Sequence, residues 1–436
     1  MQTKTEERRV LGEESLHFSA PALALLDRFK QAGYRAWLVG GAVRDGLLGI
    51  PNHDEDITTD ALPEEIEALF SDCKTLDVGK AFGTVRVLFQ DRIFEVTTFR
   101  RERGYSDGRH PDEVSYSSSV EEDLKRRDFT MNAMAWNPQQ GLLDLFHGRS
   151  HLKEGRLVAV GNARERMEED ALRMLRAVRF AARFQLSMDE DLFLALREQA
   201  PALARVSVER SLEELDRCFL GSSPSLAIEL LEMSGLFAVL FPDLHPFSNP
   251  RFDRLPQQLD LRWASFVFFA EGGERAPSPG FPMLAKDEAA LQAEQGKKLL
   301  RRFHSSRERQ ENLALLLRSC GEPLPRSREE VLWWMNRYEG KWSLLFSWMQ
   351  FFSPQQGHLL QRRVGDYVDQ KLCYRLQDLQ ITGKDLLKIG YNRGKVLGET
   401  LQEMLRLVIQ GKLQNERQEL LAFGRERGRT NQGGTQ

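Results

Sequence analysis

A short apolar run that ends at two glycines constrains the fold of this chain more than any other feature. The run Ala36–Val39 stops at Gly40-Gly41, and Ala42–Asp45 continues with residues that favour a helix. Short apolar runs bounded by glycine are typical of buried strands, and paired glycines mark a turn. We therefore expect a strand, a glycine turn and a helix in this order, preceded by a helix over Pro21–Gly33.

An acidic triplet, Asp54-Glu55-Asp56, begins fourteen residues after Gly40. If a strand covers Asp56 to Thr58, Asp54 and Asp56 project from one face, because residues two apart on an extended chain share a face, while Glu55 points away. Two carboxylates on one face suit Mg²⁺, which binds oxygen ligands and completes its shell with waters and phosphates. A solvated acidic turn is the alternative, and the triplet alone does not decide between them.

The glycine turn before the acidic triplet helps to decide between a metal site and a solvated acidic turn. Glycines allow a backbone to approach a triphosphate closely, and N–H groups at the start of a helix attract anions. Arg44, four residues after Gly40, would add positive charge. The order of strand, glycine pair, helix and carboxylate pair therefore favours a nucleotidyltransferase site over an acidic turn.

Two kinds of structure divide the chain. Further strands are expected at Gly83–Phe89 and Ile93–Phe99, where β-branched and aromatic residues cluster between turn residues. From about Glu165 onward nearly every segment has helical periodicity. A chain of 436 residues exceeds the usual size of one domain. We therefore expect an α+β architecture, with a mixed α and β part followed by an all-helical part.

Composition limits the partners of the chain. A formal net charge of -3 argues against holding nucleic acid by bulk positive charge, so any RNA contact must be local. The N-terminal residues contain no apolar run like that of a signal peptide, which predicts a cytoplasmic location. The apolar stretch Trp342–Phe352 is shorter than the roughly 20 residues that cross a bilayer. We expect it to be a core helix, with no membrane partner.

Several longer motifs resemble one known family. They are LVGGAVRD (38–45), DEDITTDALPEEI (54–66), EEDLKRRDFTMNAMAW (121–136) and EEDALRMLRAVRFAARF (168–184). In this order they resemble the class II tRNA nucleotidyltransferases, or CCA-adding enzymes, and the bacterial poly(A) polymerases of the polymerase-β-like superfamily. The resemblance implies a palm-like catalytic head with a mixed sheet (1–150), a helical neck with a nucleotide-selecting helix (151–220), a helical body (221–375) and a tRNA-binding helical tail (376–436).

The resemblance also implies roles for individual residues. Asp54 and Asp56 match the metal-binding, catalytic pair. Residues expected to contact the nucleotide are Gly40, Gly41, Arg44, Arg127, Asp128, Asp170, Arg173, Arg176 and Arg179. Glu95, on a neighbouring predicted strand, is the position we expect for a third catalytic carboxylate, although a strand glutamate could equally be an ion-pair partner.

The helix predicted over Glu169–Phe184 carries the residues expected to select the base. At about 100° per residue, Asp170, Arg173 and Arg176 spread over one sector of this helix. A solvated helix with i,i+3 ion pairs is the alternative. In the family that the motifs resemble, Asp170 and Arg173 would pair with cytosine or adenine, since a carboxylate accepts from a base amino group and a guanidinium donates to ring nitrogen or carbonyl oxygen.

Three segments rich in turn residues are expected to lie outside packed elements. Residues 100–117 are dense in charge and predict a mobile loop, which resembles the family's loop for switching between C and A. Residues 272–282 predict a surface segment, and the terminal RERGRTNQGGTQ predicts a frayed tail.

Taken together, the residues and the resemblance predict a template-independent tRNA nucleotidyltransferase. It would add C, A or both from CTP and ATP to a tRNA 3′ end, with Mg²⁺ as cofactor in a two-metal mechanism. The alternatives are an enzyme that adds only CC or only A, a poly(A) polymerase, and a non-catalytic RNA-binding protein. The sequence does not define an oligomeric state.

Overall fold

The computed structural model describes residues 12–51, 54–77, 83–103, 113–272 and 284–432. These residues divide into two compact units. The first contains the described chain up to residue 262 together with 269–272 and 301–305. The second contains 263–268, 284–300 and 306–432.

The first unit contains all the described strands. They are β1 (Ala36–Val39), β2 (Ile57–Thr59), β3 (Lys74–Asp77), β4 (Thr84–Phe89), β5 (Arg92–Thr98), β6 (Arg100–Arg103), β7 (Glu113–Tyr116), β8 (Ala135–Asn137), β9 (Gly141–Leu143), β10 (Arg156–Leu157) and β11 (Ser187–Met188). Within the described ranges, seven of them form one sheet in the order β3-β4-β5-β2-β1-β8-β9. The sheet is mixed, because β2 and β5 are parallel while the other neighbours are antiparallel.

The register between β2 and β5 brings two acidic positions side by side. Ile57 pairs with Val96 in this parallel ladder. The residues that precede them, Asp56 and Glu95, are therefore neighbours at the same edge of the two strands.

The first unit also contains eleven of the described α-helices in addition to part of the chain that follows them. They are α1 (Ala20–Gln31), α2 (Gly41–Leu47), α3 (Pro63–Leu69), α4 (Val120–Lys125), α5 (Gly148–Lys153), α6 (Ala163–Glu169), α7 (Leu172–Phe184), α8 (Glu190–Gln199), α9 (Val208–Phe219), α10 (Pro224–Met233) and α11 (Leu236–Leu240). Helix α1 begins where the Ser19 hydroxyl accepts a hydrogen bond from the Ala22 amide at 3.2 Å. It is followed by Gly33, whose φ of +86° suits glycine.

The core of the sheet region lies mainly between the sheet, α1 and α3. Leu25 and Phe29 of α1 and Ile66 of α3 pack against the strand residues Leu38 and Val96, and all are fully buried or nearly so. On the opposite face, a smaller cluster includes Trp37, Phe99 and Leu124. On that face the side chains of Arg86 and Glu95 are 40% and 45% exposed.

Helices dominate the chain beyond the sheet. Helices α12 (Leu259–Gly272) and α13 (Lys286–Arg302) contribute residues to both units. The second unit continues with α14 (Arg307–Ser319), α15 (Arg328–Arg337), α16 (Trp342–Phe352), α17 (Pro354–Asp369), α18 (Gly383–Lys388), α19 (Lys395–Ile409) and α20 (Arg417–Gln432). Helix α16 has the predicted bounds and buries Trp348 and Phe352. None of the described helices is both long and apolar enough to span a bilayer.

Four predictions about local structure need correction. Strand β2 begins at Ile57 rather than Asp56, although the chain before it is still extended enough to alternate exposed and buried side chains. The ends of segment 100–117 pair as β6 and β7 rather than forming a loop, while 104–112 lie outside the described residues. The terminal segment is helical as far as Gln432. The short strand β11, which pairs in parallel with β10, interrupts the part that was expected to be all helical.

The helix predicted over Glu169–Phe184 is confirmed from Leu172 to Phe184 but is wrong at its start, because the chain breaks at Asp170. Its ψ of 105° is extended, so α6 ends at Glu169 and α7 begins at Leu172. The Asp170 carboxylate accepts a hydrogen bond from the Leu172 amide at 3.0 Å. Aspartate satisfies a free amide at a helix start better than it continues a helix, which explains the break. The predicted surface segment 272–282 lies almost wholly outside the described residues.

Candidate active site

An open cavity of about 1230 Å³ in the first unit is lined by all the predicted site residues except Glu95. Its walls come from the β1–α2 turn, the chain before β2, residues 126–132, α7 and α9. Of the described side chains, nine arginines and five aspartates line it. The excess of guanidinium groups favours binding of a polyanion, and the aspartates among them can bind a cation that accompanies it.

The β1–α2 turn requires glycine at Gly40. Its φ of +66° is a conformation that other residues rarely adopt. Its amide donates to the Met134 carbonyl at 3.1 Å, and an added Cβ would lie 2.8 Å from Nη1 of Arg127. Gly41 is the first residue of α2 and also lines the cavity. The turn therefore brings backbone directly to the cavity wall, as predicted.

The carboxylate pair lies beside this turn. Asp54 and Asp56 are exposed and line the cavity, whereas Glu55 between them is buried. Although Asp56 is open to the cavity, the protein atoms around it partly desolvate its carboxylate. This desolvation, with the nearby Glu95 and Asp54 carboxylates, raises the pKa of Asp56 to about 6, against the opposing effect of Arg127. This repulsion between carboxylates is what a bound cation would relieve.

Glu55 anchors the segment that carries the pair. Its carboxylate accepts hydrogen bonds from the Ser19 amide at 2.8 Å and from the Ser19 hydroxyl, and it forms an ion pair with Arg92 at 3.0 Å. These contacts attach the segment to the start of α1 and to β5. Asp54 and Asp56 consequently face the cavity, while Glu55 points away from it and fixes the backbone of this segment through Ser19 and Arg92.

Glu95 has a partner of its own. Its Oε1 accepts from Nε and Nη2 of Arg86 at 2.8 and 2.5 Å on the sheet face opposite α1 and α3. It lies beside Asp56 in the strand register but does not line the cavity. Among the described residues, no three His, Cys, Asp or Glu side chains form a ready metal cluster. The site therefore offers two carboxylates, which fits Mg²⁺ because this ion keeps several water and phosphate ligands.

Arg44 belongs to the wall rather than to the open surface. It is 5% exposed, and Nε and Nη1 donate to Asp45 at 2.7 Å and to Asn132 at 2.5 Å. Its guanidinium also lies over the rings of Phe180 and Phe184, at 5.4 and 4.8 Å from their centres. Burial lowers the pKa of Arg44 despite the Asp45 carboxylate. Its side chain joins α2 to α7 and still reaches the cavity lining.

Arg127 and Asp128 follow α4 and lie on the same wall. Nη2 of Arg127 lies 3.3 Å from Asp123, and Nη1 donates to the Asn132 carbonyl at 3.4 Å. Asp128 is buried and accepts from Nε and Nη2 of Arg176 at 2.8 and 2.6 Å. Asp128 therefore acts as an internal partner for a cavity arginine.

Asp170 and Arg173 lie at the start of α7. Oδ2 of Asp170 accepts from Nη2 of Arg210 on α9 at 2.9 Å. Arg173 is 9% exposed, forms an ion pair with Glu169 and donates to the Arg166 carbonyl at 3.0 Å. Both residues line the cavity. The alternative of a solvated polar face does not hold for this part of α7, because its described arginines are held by buried or half-buried partners.

Farther along α7, Arg179 has a similar environment. Its Nε donates to Glu214 on α9 at 2.6 Å, and its guanidinium lies 4.1 Å from the centre of the Phe180 ring. Burial lowers the pKa of Arg179, and Glu214 opposes that change. The cavity wall thus contains charge that the fold itself has fixed in position.

The sequence prediction missed four arginines of the cavity, namely Arg126, Arg183, Arg210 and Arg217. Arg183 continues the spacing of Arg176 and Arg179 along α7, so helical periodicity could have suggested it. Arg210 and Arg217 lie on α9 outside the quoted motifs. Only the packing of α9 against α7 reveals them.

Family models match most of the chain in three consecutive parts. Residues 36–158 match the model described as Poly A polymerase head domain. Residues 185–248 match the model for an RNA and SrmB-binding site of polymerase A, and residues 287–423 match tRNA nucleotidyltransferase domain 2.

Similarity to whole proteins decides the family. The chain is 35% identical over 412 residues to the CCA-adding enzyme of Streptococcus pneumoniae (strain CGSP14), which covers 93% of this chain and 97% of that protein. It is 33% identical to the CCA-adding enzyme of Ligilactobacillus salivarius (strain UCC118), over 92% of this chain and 94% of that protein. This chain belongs to the CCA-adding enzyme family.

Solved structures of CCA-adding enzymes agree with this assignment. The crystal structure of the Bacillus stearothermophilus CCA-adding enzyme in complex with CTP has a TM-score of 0.73 at 31% identity, covering 95% of this chain and 100% of that one. The Thermotoga maritima CCA-adding enzyme complexed with tRNA_CCA has a TM-score of 0.55 at 22% identity, over 92% and 93% of the two chains, and shows the fold alone. The predicted family and α+β fold class are confirmed. As a tRNA nucleotidyltransferase of the CCA-adding type, the chain is an enzyme of a class that uses divalent metal.

Proposed function

We propose that this chain adds C and A from CTP and ATP to the 3′ end of tRNA, with Mg²⁺ as its metal. One observation carries the proposal: a single arginine-rich cavity contains the glycine turn, the Asp54 and Asp56 pair and the Asp170 and Arg173 pair. In a member of the CCA-adding family, this cavity offers a place for a triphosphate, a metal and a base at once.

The chemistry is a nucleotidyl transfer. The RNA 3′-oxygen forms a bond to the α-phosphorus of CTP or ATP, the bond from that phosphorus to the bridging oxygen of the β-phosphate breaks, and pyrophosphate leaves. The proton of the 3′-hydroxyl passes to solvent. Asp54 and Asp56 would hold Mg²⁺, which when bound would make the 3′-hydroxyl more acidic and balance charge on the leaving pyrophosphate.

Triphosphate binding would use the backbone turn and the arginine wall. Gly40 and Gly41 allow the phosphates close to the chain, and Arg127 and Arg176 would supply positive charge. Arg44, Arg179 and Asp128 would act mainly by fixing α2 and α7, since they are themselves less than 10% exposed and are paired within the fold. The side chains of the two arginines that would supply charge are 20% and 31% exposed, although they also have buried partners. Glu95 would act indirectly through its charge beside Asp56.

Base selection would rest on Asp170 and Arg173. A carboxylate accepts from the amino group that cytosine and adenine share, and a guanidinium donates to their ring nitrogen or to the cytosine carbonyl oxygen. Uracil and guanine present a carbonyl where the amino group would lie. The pair therefore suits C and A and disfavours U and G.

The rest of the chain would hold the tRNA. We propose the division into head (1–150), neck (151–220), body (221–375) and tail (376–436), with tRNA contacts in the tail. The successive family-model ranges support a head followed by separate RNA-related parts. We also propose a cytoplasmic location, where tRNA ends are available for addition.

The test uses tRNA transcripts that end at the discriminator base, after C and after CC. Each is incubated with CTP, ATP or both, and products are resolved to one nucleotide. We expect CCA on the bare end followed by arrest. Addition only to the CC-ended transcript would indicate an A-adding enzyme, and arrest after CC would indicate a CC-adding one. Long A tails on any RNA would indicate a poly(A) polymerase, and no addition would indicate an RNA-binding protein.

A further inference from the structure

A residue of α9 that lies outside the recognised motifs holds the carboxylate assigned to base selection. Nη2 of Arg210 donates to Oδ2 of Asp170 at 2.9 Å. We propose that Arg210 is a positioning residue that fixes Asp170 for the discrimination of amino-bearing bases from keto bases. This inference rests on the function proposed above and adds to it a determinant of base specificity.

The geometry leaves Asp170 fixed and still able to bind a base. Oδ1 accepts from the Leu172 amide at 3.0 Å, so one oxygen is held by the start of α7 and the other by Arg210. A carboxylate oxygen can accept two hydrogen bonds. Each oxygen of Asp170 can therefore accept a second hydrogen bond, from the exocyclic amino group of a base. The two protein donors fix the orientation of the carboxylate.

Burial makes this contact more than a surface ion pair. The side chains of Asp170 and Arg210 are 17% and 23% exposed. A partly buried, charge-assisted hydrogen bond orients its partners better than an exposed pair does, because water competes less for either group. Without Arg210, the Leu172 amide would be the one remaining hydrogen-bond donor to the Asp170 carboxylate within the described parts of the chain, and the carboxylate could rotate about its Cα–Cβ bond.

Helix α9 also holds a residue within α7, in addition to Asp170, which precedes α7. Glu214, one turn beyond Arg210 on α9, accepts from Nε of Arg179 at 2.6 Å. Arg217, farther along α9, lies 3.0 Å from the other oxygen of Glu214. Helix α9 therefore contacts Asp170 through Arg210 and α7 through Glu214, and of these two α9 residues Arg210 is the one that contacts the proposed base-selecting carboxylate.

This arrangement predicts an effect on specificity rather than on affinity alone. A fixed carboxylate favours the amino group of cytosine and repels the carbonyl that uracil presents at the same place. If Asp170 can turn away, CTP loses a hydrogen bond and UTP loses a repulsion. If Arg210 served only as positive charge for the triphosphate, its loss would weaken both nucleotides equally.

The experiment measures kcat/KM for CTP and for UTP on a tRNA transcript that ends at the discriminator base. We expect Arg210→Gln to lower the CTP-to-UTP ratio by about tenfold or more. Arg210→Lys, which keeps a charged donor, should recover part of that ratio. Arg217→Gln is the matched control, because it removes the same charge from the same helix and cavity; it should change both nucleotides by a similar factor.

A double variant separates positioning from a general loss of structure. In Asp170→Asn, the further change Arg210→Gln should alter the ratio by less than about twofold, because the carboxylate that Arg210 positions is already gone. An unchanged ratio in Arg210→Gln, or equal losses for CTP and UTP, would overturn the inference while leaving the proposed function standing. If the wild-type chain adds no nucleotide to tRNA, the proposed function fails and the role of Arg210 falls with it.

Discussion

Asp128 and Arg176 form a two-point ion pair inside the cavity wall, in which one carboxylate oxygen accepts from Nε at 2.8 Å and from Nη2 at 2.6 Å. The other oxygen accepts from the Asn132 amide group at 3.0 Å. Burial alone would raise the pKa of Asp128, but Arg176 and Asn132 bring it down to about 2. The pair therefore stays ionised near neutral pH and joins the chain after α4 to α7.

This pair predicts a specific loss of stability in acid. The folded pKa lies below the ordinary value of 3.8, so the stabilisation is complete above about pH 4 and is lost as the pH falls towards 2. We expect Asp128 to account for roughly 2 kcal/mol of the free energy of unfolding lost over that interval. Urea unfolding between pH 7 and pH 2.5 measures it. Asp128→Asn should show a shallower dependence than wild type, whereas the exposed Asp191→Asn should follow wild type. Equal slopes in all three would contradict this account.

The carboxylate pair predicts a metal dependence that itself varies with pH. Asp56→Asn should reduce nucleotide addition by at least about 100-fold, because one of the two proposed metal ligands loses its charge. Its tRNA binding should persist in a filter-binding assay. Since the pKa of Asp56 is raised to about 6, protons compete with metal below that pH. The Mg²⁺ concentration for half-maximal activity should therefore rise about tenfold per unit as the pH falls below 6. A requirement that is flat from pH 7.5 to pH 5 would argue against Asp56 as a ligand.

The strongest local signals in the sequence predicted the centre of the site well. The four-residue strand β1 has its predicted bounds, and the glycine turn follows it because Gly40 needs a positive φ. Alternation along an extended chain correctly separated the exposed Asp54 and Asp56 from the buried Glu55. These features depend on neighbouring residues, so local patterns suffice to predict them.

Contacts between distant segments could not be predicted in this way. The ion pair of Glu95 with Arg86 depends on the register of β4 and β5, which a single strand pattern leaves open. The break at Asp170 depends on a side chain that caps α7 in place of continuing the helix. Arg210 enters the site only because α9 packs beside α7. In each case tertiary structure decided between alternatives that local periodicity allowed.

Because Glu55 anchors the backbone between Asp54 and Asp56, we expect its substitution to lower activity without removing either aspartate. Glu55→Gln keeps the size of the side chain but removes the charge that pairs with Arg92 and weakens the contacts to Ser19. We expect a loss of roughly 1–3 kcal/mol in the free energy of unfolding, as for other buried charged hydrogen bonds. kcat should fall while KM for CTP changes little, because the metal ligands move and the nucleotide wall does not. Ser19→Ala, which removes one hydroxyl partner, should show a smaller loss in both. A Glu55→Gln variant with wild-type kcat would show that the carboxylates keep their positions without this anchor.

Two neighbouring glutamates of α9, the buried Glu214 and the exposed Glu213, allow the contribution of a buried ion pair to stability to be compared with that of a surface charge. Glu214 is 2% exposed and accepts from Arg179 at 2.6 Å and Arg217 at 3.0 Å, whereas Glu213 is exposed. Glu214→Gln leaves the buried Arg179 without a counter-charge, and removing one partner of a buried pair costs about 3–5 kcal/mol. Because glutamine still offers one acceptor oxygen, we expect the lower part of that range in urea unfolding. Glu213→Gln should change stability by less than about 0.5 kcal/mol. Equal effects of the two substitutions would mean that α9 does not hold α7 through this pair, and the cavity wall would then owe its arrangement to apolar packing alone.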